Sequence, residues 1–163
     1  MAKEGVVAFA FGVPASIVSN LRIALIASKK AKERNASVYT QLDVQIEAGI
    51  AVEYTEEKSG EPPPTLREAR GAVQWARKLG LEVLWIAAAA PHLWRALRDL
   101  KYAIKEARAA ITVRTCEEIS RYPEEEWYCS NSTQKRASSR REWQKRDRIL
   151  KLMPMFLYKL VAS

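Results

Sequence analysis

The 163-residue sequence contains one histidine and two cysteines, and this scarcity limits the chemistry it can support. Cys116 and Cys129 do not form a CxxC pair, so their spacing matches neither a zinc site nor a disulfide framework. A single histidine without a paired aspartate motif completes no metal-ligand pattern, and we predict no metal site. The cysteine usage is typical of a reduced, cytoplasmic protein.

Long hydrophobic runs and glycine-rich phosphate loops are also missing. The N-terminal apolar run, residues 5–11, has the length of a buried strand, whereas a membrane-spanning helix needs about 20 apolar residues. No signal-peptide pattern accompanies it. The sequence contains no GxGxxG, GxxxxGK[ST] or GxSxG, which are the standard dinucleotide, P-loop and α/β-hydrolase motifs. We therefore expect no membrane span and no standard nucleotide fingerprint.

Positive charge is concentrated near the C-terminus. The net charge is +8, and residues 134–151 hold eight lysines and arginines against two acidic residues. A basic segment favours anionic partners, but nucleic acid is only weakly supported because the rest of the chain is close to neutral. The apolar end, residues 153–163, needs a partner surface. It could pack back on the domain, form a homodimer contact or lie on a membrane surface.

Strand-like and helix-like segments alternate along most of the chain. The apolar runs that predict strands are 5–11, 37–43, 49–55, 81–90 and 109–115. The segments with helical periodicity are 16–34, 65–79, 91–107 and the basic stretch 134–151. This alternation predicts a single α/β domain, a Rossmann-like three-layer fold with a mostly parallel five-stranded sheet. Its core would span about 5–115, with a C-terminal helical extension over about 123–163.

The strand ends are the places where an open parallel sheet binds ligands. His92 follows the run 81–90 after Pro91 and lies in the first turn of the next helix. Helical spacing places His92, Arg95 and Asp99 on one arc, away from the leucine stripe of that helix. We expect His92 and Arg95 to face a ligand from this arc. Arg95 would bind a phosphate or carboxylate, and His92 would act as a donor or as an acid/base.

Other polar residues near strand ends allow either a structural or a functional interpretation. Thr65, with Glu68 three residues later, matches a helix capping box, which is a sufficient structural explanation. Asp43 ends the second strand-like run and could bind a hydroxyl group or a metal. Glu53 ends the third strand and begins a small carboxylate cluster.

Six residues in chain order resemble the pattern of the YdcF/SanA/ElyC family, small α/β proteins of unknown function. These residues are Gly12, Arg22, Glu53, Thr65, His92 and Arg95. The resemblance covers roughly residues 5–115 and implies a Rossmann-like fold with a pocket. The chain departs from the family at Thr40–Asp43, where the family has Ser-Gly-Gly, and at Glu68, where it often has Asn. S-adenosylmethionine binding in one relative makes that compound a candidate ligand, and other relatives have envelope-related roles.

Three functions remain open from the sequence. The first is a small-ligand-binding protein for an anionic or nucleotide-like compound, with S-adenosylmethionine as one candidate. The second is a hydrolase or transferase that uses His92 as acid/base and Arg95 to stabilise charge. The third is an interaction protein that uses the basic C-terminal helix. The candidate ligand-binding residues are Gly12, Arg22, Asp43, Glu53, Thr65 and Glu68.

Overall fold

The computed structural model describes residues 2–57 and 63–162, which form an α/β fold with a five-stranded sheet. The strands are β1 (Glu4–Ala8), β2 (Ser37–Thr40), β3 (Val52–Tyr54), β4 (Val83–Ala87) and β5 (Thr112–Thr115). The helices are α1 (Val18–Arg34), α2 (Thr65–Leu79), α3 (Ala90–Glu106), α4 (Arg140–Leu152) and α5 (Met155–Ala162). Short 3-10 turns cover residues 117–121, 124–127 and 135–137. The predicted α/β class with a helical C-terminal extension is confirmed.

The sheet has the order β3-β2-β1-β4-β5, and every neighbouring pair of strands is parallel. The central strand β1 pairs Val6 with Val38 on one side and with Trp85 on the other. Continuous apolar runs form these inner strands because both faces of the sheet are covered by helices. The prediction of a mostly parallel sheet is therefore confirmed, although each strand is shorter than the apolar run that predicted it.

The two faces of β1 enter separate layers of the core, since successive side chains of a strand point to opposite sides. Val6 and Ala8 pack with α1, whereas Val7 and Phe9 pack with α2 and α3. The α1 layer buries Ile23, Ile26 and Ala27. The opposite layer buries Ala69, Ala72, Val73, Ala96 and Leu100. These two clusters make the three-layer arrangement.

The C-terminal extension packs back across the carboxyl end of the sheet. Trp127 and Trp143 join the core on the α1 side, while Leu150 and Tyr158 form a small cluster with Leu66 at the start of α2. The extension therefore connects both layers above the strand ends. The predicted helix 134–151 is wrong at its beginning. Helix α4 begins at Arg140, because the Ser139 hydroxyl oxygen caps it by accepting a hydrogen bond from the Glu142 N–H at 3.3 Å.

A buried lysine joins helix α1 to the chain that follows β5. The Lys30 ammonium is fully buried and donates hydrogen bonds to Glu33 at 2.8 Å and Glu117 at 2.9 Å, with Glu118 at 3.5 Å. It also lies 4.9 Å from the Trp85 ring centre. Burial alone would lower the pKa of Lys30, but the hydrogen bonds to Glu33 and Glu117 and the charge of Glu118 hold it above its ordinary value. Lys30 is therefore charged in the folded protein.

We expect Lys30→Met to lower the free energy of unfolding by about 3 kcal/mol, because it removes the buried one of two cations beside Glu118 and leaves that buried carboxyl group with the half-exposed Lys29 at 3.6 Å. Urea denaturation followed by circular dichroism measures this change. Lys32→Met is the matched control, since its ion pair with Glu47 is exposed and should contribute about 1 kcal/mol or less. Equal stability of the Lys30 variant and the control would contradict this account of the network.

Candidate functional site

A small cavity lies where β1 and β4 end and the C-terminal extension crosses above them. Its volume is about 40 Å³, and it shares four lining residues with a second cavity of about 170 Å³. Pro63, Thr65, Arg95 and Arg136 line both cavities. The remaining residues around the inner cavity are Ala10, Phe11, Gly12, Gln41, Glu68, His92, Gln134 and Trp143. We call the two cavities together the strand-end pocket.

The turn after β1 forms one wall of the strand-end pocket. Gly12 has φ +95°, and a Cβ atom there would lie 2.6 Å from the Ser132 hydroxyl oxygen. A glycine is therefore required both by the backbone and by the close approach of the extension. Buried Asn20 holds this turn, since its Oδ1 accepts from the Phe11 N–H at 2.9 Å and its Nδ2 donates to the Gly12 carbonyl at 3.0 Å. The wall is thus fixed by hydrogen bonds.

His92 lies buried in the first turn of α3. Its Nε2 is 3.2 Å from the Thr65 hydroxyl oxygen, and its Nδ1 has no hydrogen-bond partner among the described residues. Burial holds the pKa of His92 well below its usual range, and the positive charge of Arg95 lowers it further. The Ala10 backbone beside the ring raises the pKa of His92, although Nδ1 forms no hydrogen bond with it. His92 is therefore neutral at pH 7 and keeps one ring nitrogen available.

Arg95 is a buried cation, only 6% exposed. Its guanidinium stacks on the Trp143 ring with 4.7 Å to the ring centre, and its Nε has no hydrogen-bond partner within the described chain. Burial lowers the pKa of Arg95, and Arg146 lowers it too, while nearby acidic groups oppose the shift. A guanidinium nevertheless stays protonated at neutral pH. The strand-end pocket therefore contains a buried positive charge with no ion-pair partner in residues 2–57 and 63–162.

Glu68 is a buried carboxyl group on the opposite wall, only 1% exposed. Burial raises its pKa well above the ordinary value, and the charge of Glu57 raises it further. Its Oε1 is also without a partner among the residues described. Burial thus favours the protonated form of Glu68, which can donate a hydrogen bond.

The predicted capping box at the start of α2 is wrong. Pro64 occupies the N-cap position, and the described residues supply no side-chain cap there. The Thr65 hydroxyl is instead directed to His92, and the Glu68 side chain is buried. Proline accounts for the difference, because its fixed φ suits a helix start without a side-chain cap. Thr65 and Glu68 are thereby left free to line the strand-end pocket.

The polar arc of α3 is buried beneath the C-terminal extension. His92, Arg95 and Asp99 do share one side of the helix, and all three are buried. On the leucine side of the helix, Leu100 is fully buried, and Leu93 and Leu97 are half-buried. The C-terminal extension explains why the polar arc is buried as well. It covers the polar arc with Trp143 and with Tyr158, whose hydroxyl forms a short hydrogen bond with Asp99.

Three of the predicted site residues lie elsewhere. Arg22 is on the outer side of α1, where it pairs with Glu126 at 2.7 Å and stacks over Tyr122. Glu53 lines a separate open groove of about 520 Å³ beside α2. Asp43 lies in the turn after β2, and burial raises its pKa. The structure thus brings together Gly12, Thr65, Glu68, His92 and Arg95 but not these three.

Sequence reasoning missed Gln41, Arg136 and Trp143 as residues of the site. Gln41 is buried and accepts a hydrogen bond from the Ala10 N–H at 2.8 Å, which fixes the end of β1. Arg136 and Trp143 come from the basic segment, and the Trp143 indole donates to the Pro91 carbonyl at 3.2 Å. A tryptophan inside a strongly basic segment was the one available sign that this segment packs on the domain.

A group of carboxylates that could hold a metal ion lies outside the strand-end pocket. Among the described residues, Glu33, Glu117 and Glu118 are the group whose oxygens come close enough together. The Lys30 ammonium already lies between them, at 2.8 Å from Glu33 and 2.9 Å from Glu117. The cluster is therefore neutralised by a lysine.

The fold and the site define the class of protein as a Rossmann-like α/β protein with a pocket at the carboxyl ends of its strands. No family model matches the chain, and no curated protein matches it. The resemblance to the YdcF/SanA/ElyC family stays a prediction. In residues 2–57 and 63–162, no helix combines the length and the hydrophobicity needed to cross a membrane.

We expect Glu68→Gln to raise the free energy of unfolding at pH 7 to 8 and to change it little near pH 4. A carboxyl whose folded pKa is raised costs stability as pH rises from its unfolded pKa, about 4.5, towards the folded one. The unfolded chain loses its proton in that window while the folded protein keeps it. Glutamine cannot ionise, so the free energy of unfolding of the variant does not fall in this pH window.

Urea titrations at a series of pH values measure the difference between wild type and Glu68→Gln. Exposed Glu56→Gln, close by at the end of β3, is the matched control and should show no comparable pH-dependent gain. A stability difference that is constant from pH 4 to pH 8 would show that Glu68 ionises normally in the folded protein.

Proposed function

We propose that this protein binds a small anionic metabolite, one that carries a phosphate or carboxylate group, in the strand-end pocket. The observation that supports this proposal most is the buried Arg95 guanidinium without an ion-pair partner in the described chain. Two further arginines, Arg136 and Arg146, line the same pair of cavities. Neither forms an ion pair with any residue that the structure describes.

A buried charge without a partner is costly, and an anion would remove that cost. Arginine forms two parallel hydrogen bonds with a phosphate or carboxylate, which are among the strongest polar contacts in proteins. Among the residues described, Glu68 is the only carboxyl side chain around either cavity, and its raised pKa favours the uncharged form. A neutral carboxyl does not repel an anion and can donate a hydrogen bond to it. The available Nδ1 of His92 offers a further polar contact.

The size of the pocket favours a small ligand. The inner and outer cavities measure about 40 and 170 Å³. Pockets for drug-sized ligands usually measure about 300–1,000 Å³. The anionic group would occupy the space near Arg95, and the rest of the ligand would extend past Arg146 and Tyr158. S-adenosylmethionine and other nucleotide-like ligands remain proposals, and they exceed the volume that these cavities provide.

We expect isothermal titration calorimetry to detect binding of inorganic phosphate or a small phosphate monoester to the wild type. Arg95→Gln should weaken that affinity by roughly thirtyfold or more, because truncating a buried charged partner of an anion costs about 2–5 kcal/mol. Arg22→Gln removes the same charge on the surface outside the pocket and should bind as the wild type does. Adenosine monophosphate and S-adenosylmethionine in the same series test the nucleotide-like ligands.

A saturating ligand should also raise the melting temperature, since ligand at a hundred times its Kd adds about 2.7 kcal/mol to stability. Equal weakening by Arg95→Gln and Arg22→Gln would show that binding depends on net charge and not on the pocket. No binding of any of these anions to the wild type would contradict the proposed function.

A second candidate function is acid/base catalysis on such a ligand, as in a hydrolase or transferase. The observation that favours it is the distance of 3.2 Å between the His92 Nε2 and the Thr65 hydroxyl oxygen. A neutral imidazole in this position can accept a proton from a hydroxyl group or a water molecule. Arg95 lies close enough to lower the pKa of His92 and would stabilise the negative charge that develops on the reacting group.

We expect His92→Gln to reduce kcat for hydrolysis of a phosphate monoester such as 4-nitrophenyl phosphate by roughly a hundredfold or more, with little change in KM. Because the pKa of His92 lies well below its usual range, wild-type activity should persist below pH 6.5, where an ordinary histidine is protonated. Activity that falls steeply at pH 6.5, or that survives in His92→Gln, would remove His92 from the chemistry.

We also propose a reduced, cytoplasmic location. Cys116 and Cys129 are both buried free thiols in the structure. Burial raises the pKa of Cys116 to about 12, which makes it unreactive. Buried free thiols of this kind are usual in reducing compartments.

A further inference from the structure

Helices α4 and α5 leave an unusually apolar surface uncovered. Leu152 is 86% exposed and Leu160 is 80% exposed. Exposed apolar side chains in this part of the chain are Ile149, Leu152, Phe156, Leu157, Leu160 and Val161. They lie within thirteen consecutive positions, whereas scattered single exposed side chains are normal on a protein surface. The C-terminal end therefore packs on the domain with one side only.

A row of cations leads into this apolar surface. Arg141, Lys145 and Arg148 are exposed on α4, and their spacing of four and three residues places them on one side of the helix. Leu152 follows at the next step of four and lies on the same side. Arg140, Arg141, Lys145 and Arg148 together line an open groove of about 450 Å³. We call these cations and the exposed apolar side chains the basic–apolar face.

We propose that the basic–apolar face docks this protein on an anionic lipid bilayer. The cations would lie at the level of the lipid phosphates, and Phe156 and Leu160 would enter the region between headgroups and acyl chains. Helix α5 has eight residues and is about 12 Å long, so it would lie in the plane of the interface. This inference is independent of the small-anion function proposed for the strand-end pocket.

The two halves of the basic–apolar face together favour a lipid surface over other partners. A second copy of the chain could cover the apolar side chains, but a symmetric contact would bring the two rows of cations together. A nucleic acid would satisfy the cations through its phosphates but would leave the aliphatic side chains in water. An anionic bilayer offers both the negative charge that the cations require and the apolar interior that the aliphatic side chains require. Charge complementarity and hydrophobicity thus point to the same partner.

The test is flotation of the full chain with vesicles made of phosphatidylcholine and phosphatidylglycerol in equal parts, compared with phosphatidylcholine alone. We expect binding to the anionic vesicles and at least about tenfold weaker binding to the neutral ones. Leu152→Ser combined with Phe156→Ser and Leu160→Ser should reduce binding to anionic vesicles by roughly tenfold or more, because each side chain loses apolar area to bury. Arg141→Gln combined with Lys145→Gln and Arg148→Gln should weaken it by roughly a hundredfold, since each of the three cations near the surface contributes about fivefold.

A matched control keeps the apolar variant interpretable. Leu21 and Leu25 on α1 are 51% and 61% exposed and lie outside the basic–apolar face. The double substitution Leu21→Ser and Leu25→Ser should leave vesicle binding unchanged. All substituted side chains are exposed, so circular dichroism should show the wild-type fold in every variant.

Several results would overturn the proposal. A wild type that remains with the lipid-free fractions at low salt, or an apolar variant that floats as well as the wild type, would contradict lipid docking. A concentration-dependent dimer that the apolar variant abolishes, without vesicle binding, would instead assign the face to a second copy. Binding to a nucleic-acid duplex that is unaffected by the apolar substitutions would assign the cations to that partner.

Discussion

The contact of Trp143 with the strand-end residues is the interaction on which the rest of the site depends. Its ring packs edge-on against Phe11 and His92, with ring centres 4.7 and 5.5 Å apart, and the Arg95 guanidinium stacks on it at 4.7 Å. Its indole N–H donates to the Pro91 carbonyl at 3.2 Å. One side chain of the C-terminal extension therefore closes the pocket, excludes water from His92 and holds Arg95 in a buried position. Without this contact, the strand ends would open directly to solvent, as they do in a bare parallel sheet.

The electrostatics of the pocket follow from that closure. Removing water disfavours charge on every titratable group, so the pKa of His92 falls and the pKa of Glu68 rises. The neutral forms of both groups are favoured, whereas the guanidinium of Arg95 keeps its charge beside them, because arginine does not lose its proton at neutral pH. The result is a site with a single sign of charge and two neutral hydrogen-bonding groups. Such a combination is suited to an anion, and it differs from Lys30, where three carboxylates compensate a buried cation within the protein itself.

The C-terminal extension has two sides with different roles. Its inner side contributes Trp143, Leu150 and Tyr158 to the domain, whereas its outer side carries the basic–apolar face. Val161 belongs to both the strand-end pocket and the basic–apolar face, since it lines the outer cavity and is 54% exposed. A ligand leaving the pocket by this route would emerge beside the surface for which we propose lipid contact. The two proposals thus concern neighbouring parts of one segment, although each depends on its own observations.

The sequence by itself determined the α/β class, the parallel sheet and the location of His92 and Arg95 at a strand end. Those features follow from local patterns: continuous apolar runs, helical periodicity and the position of Pro91. Only the tertiary structure decided that the arc of His92, Arg95 and Asp99 is buried, because the covering residues lie about 50 positions further along the chain. It likewise separated Arg22 and Glu53 from the pocket and brought in Arg136 and Trp143. Periodicity shows which residues share a side of a helix, but burial depends on what packs against that side, and a long-range contact has no local pattern.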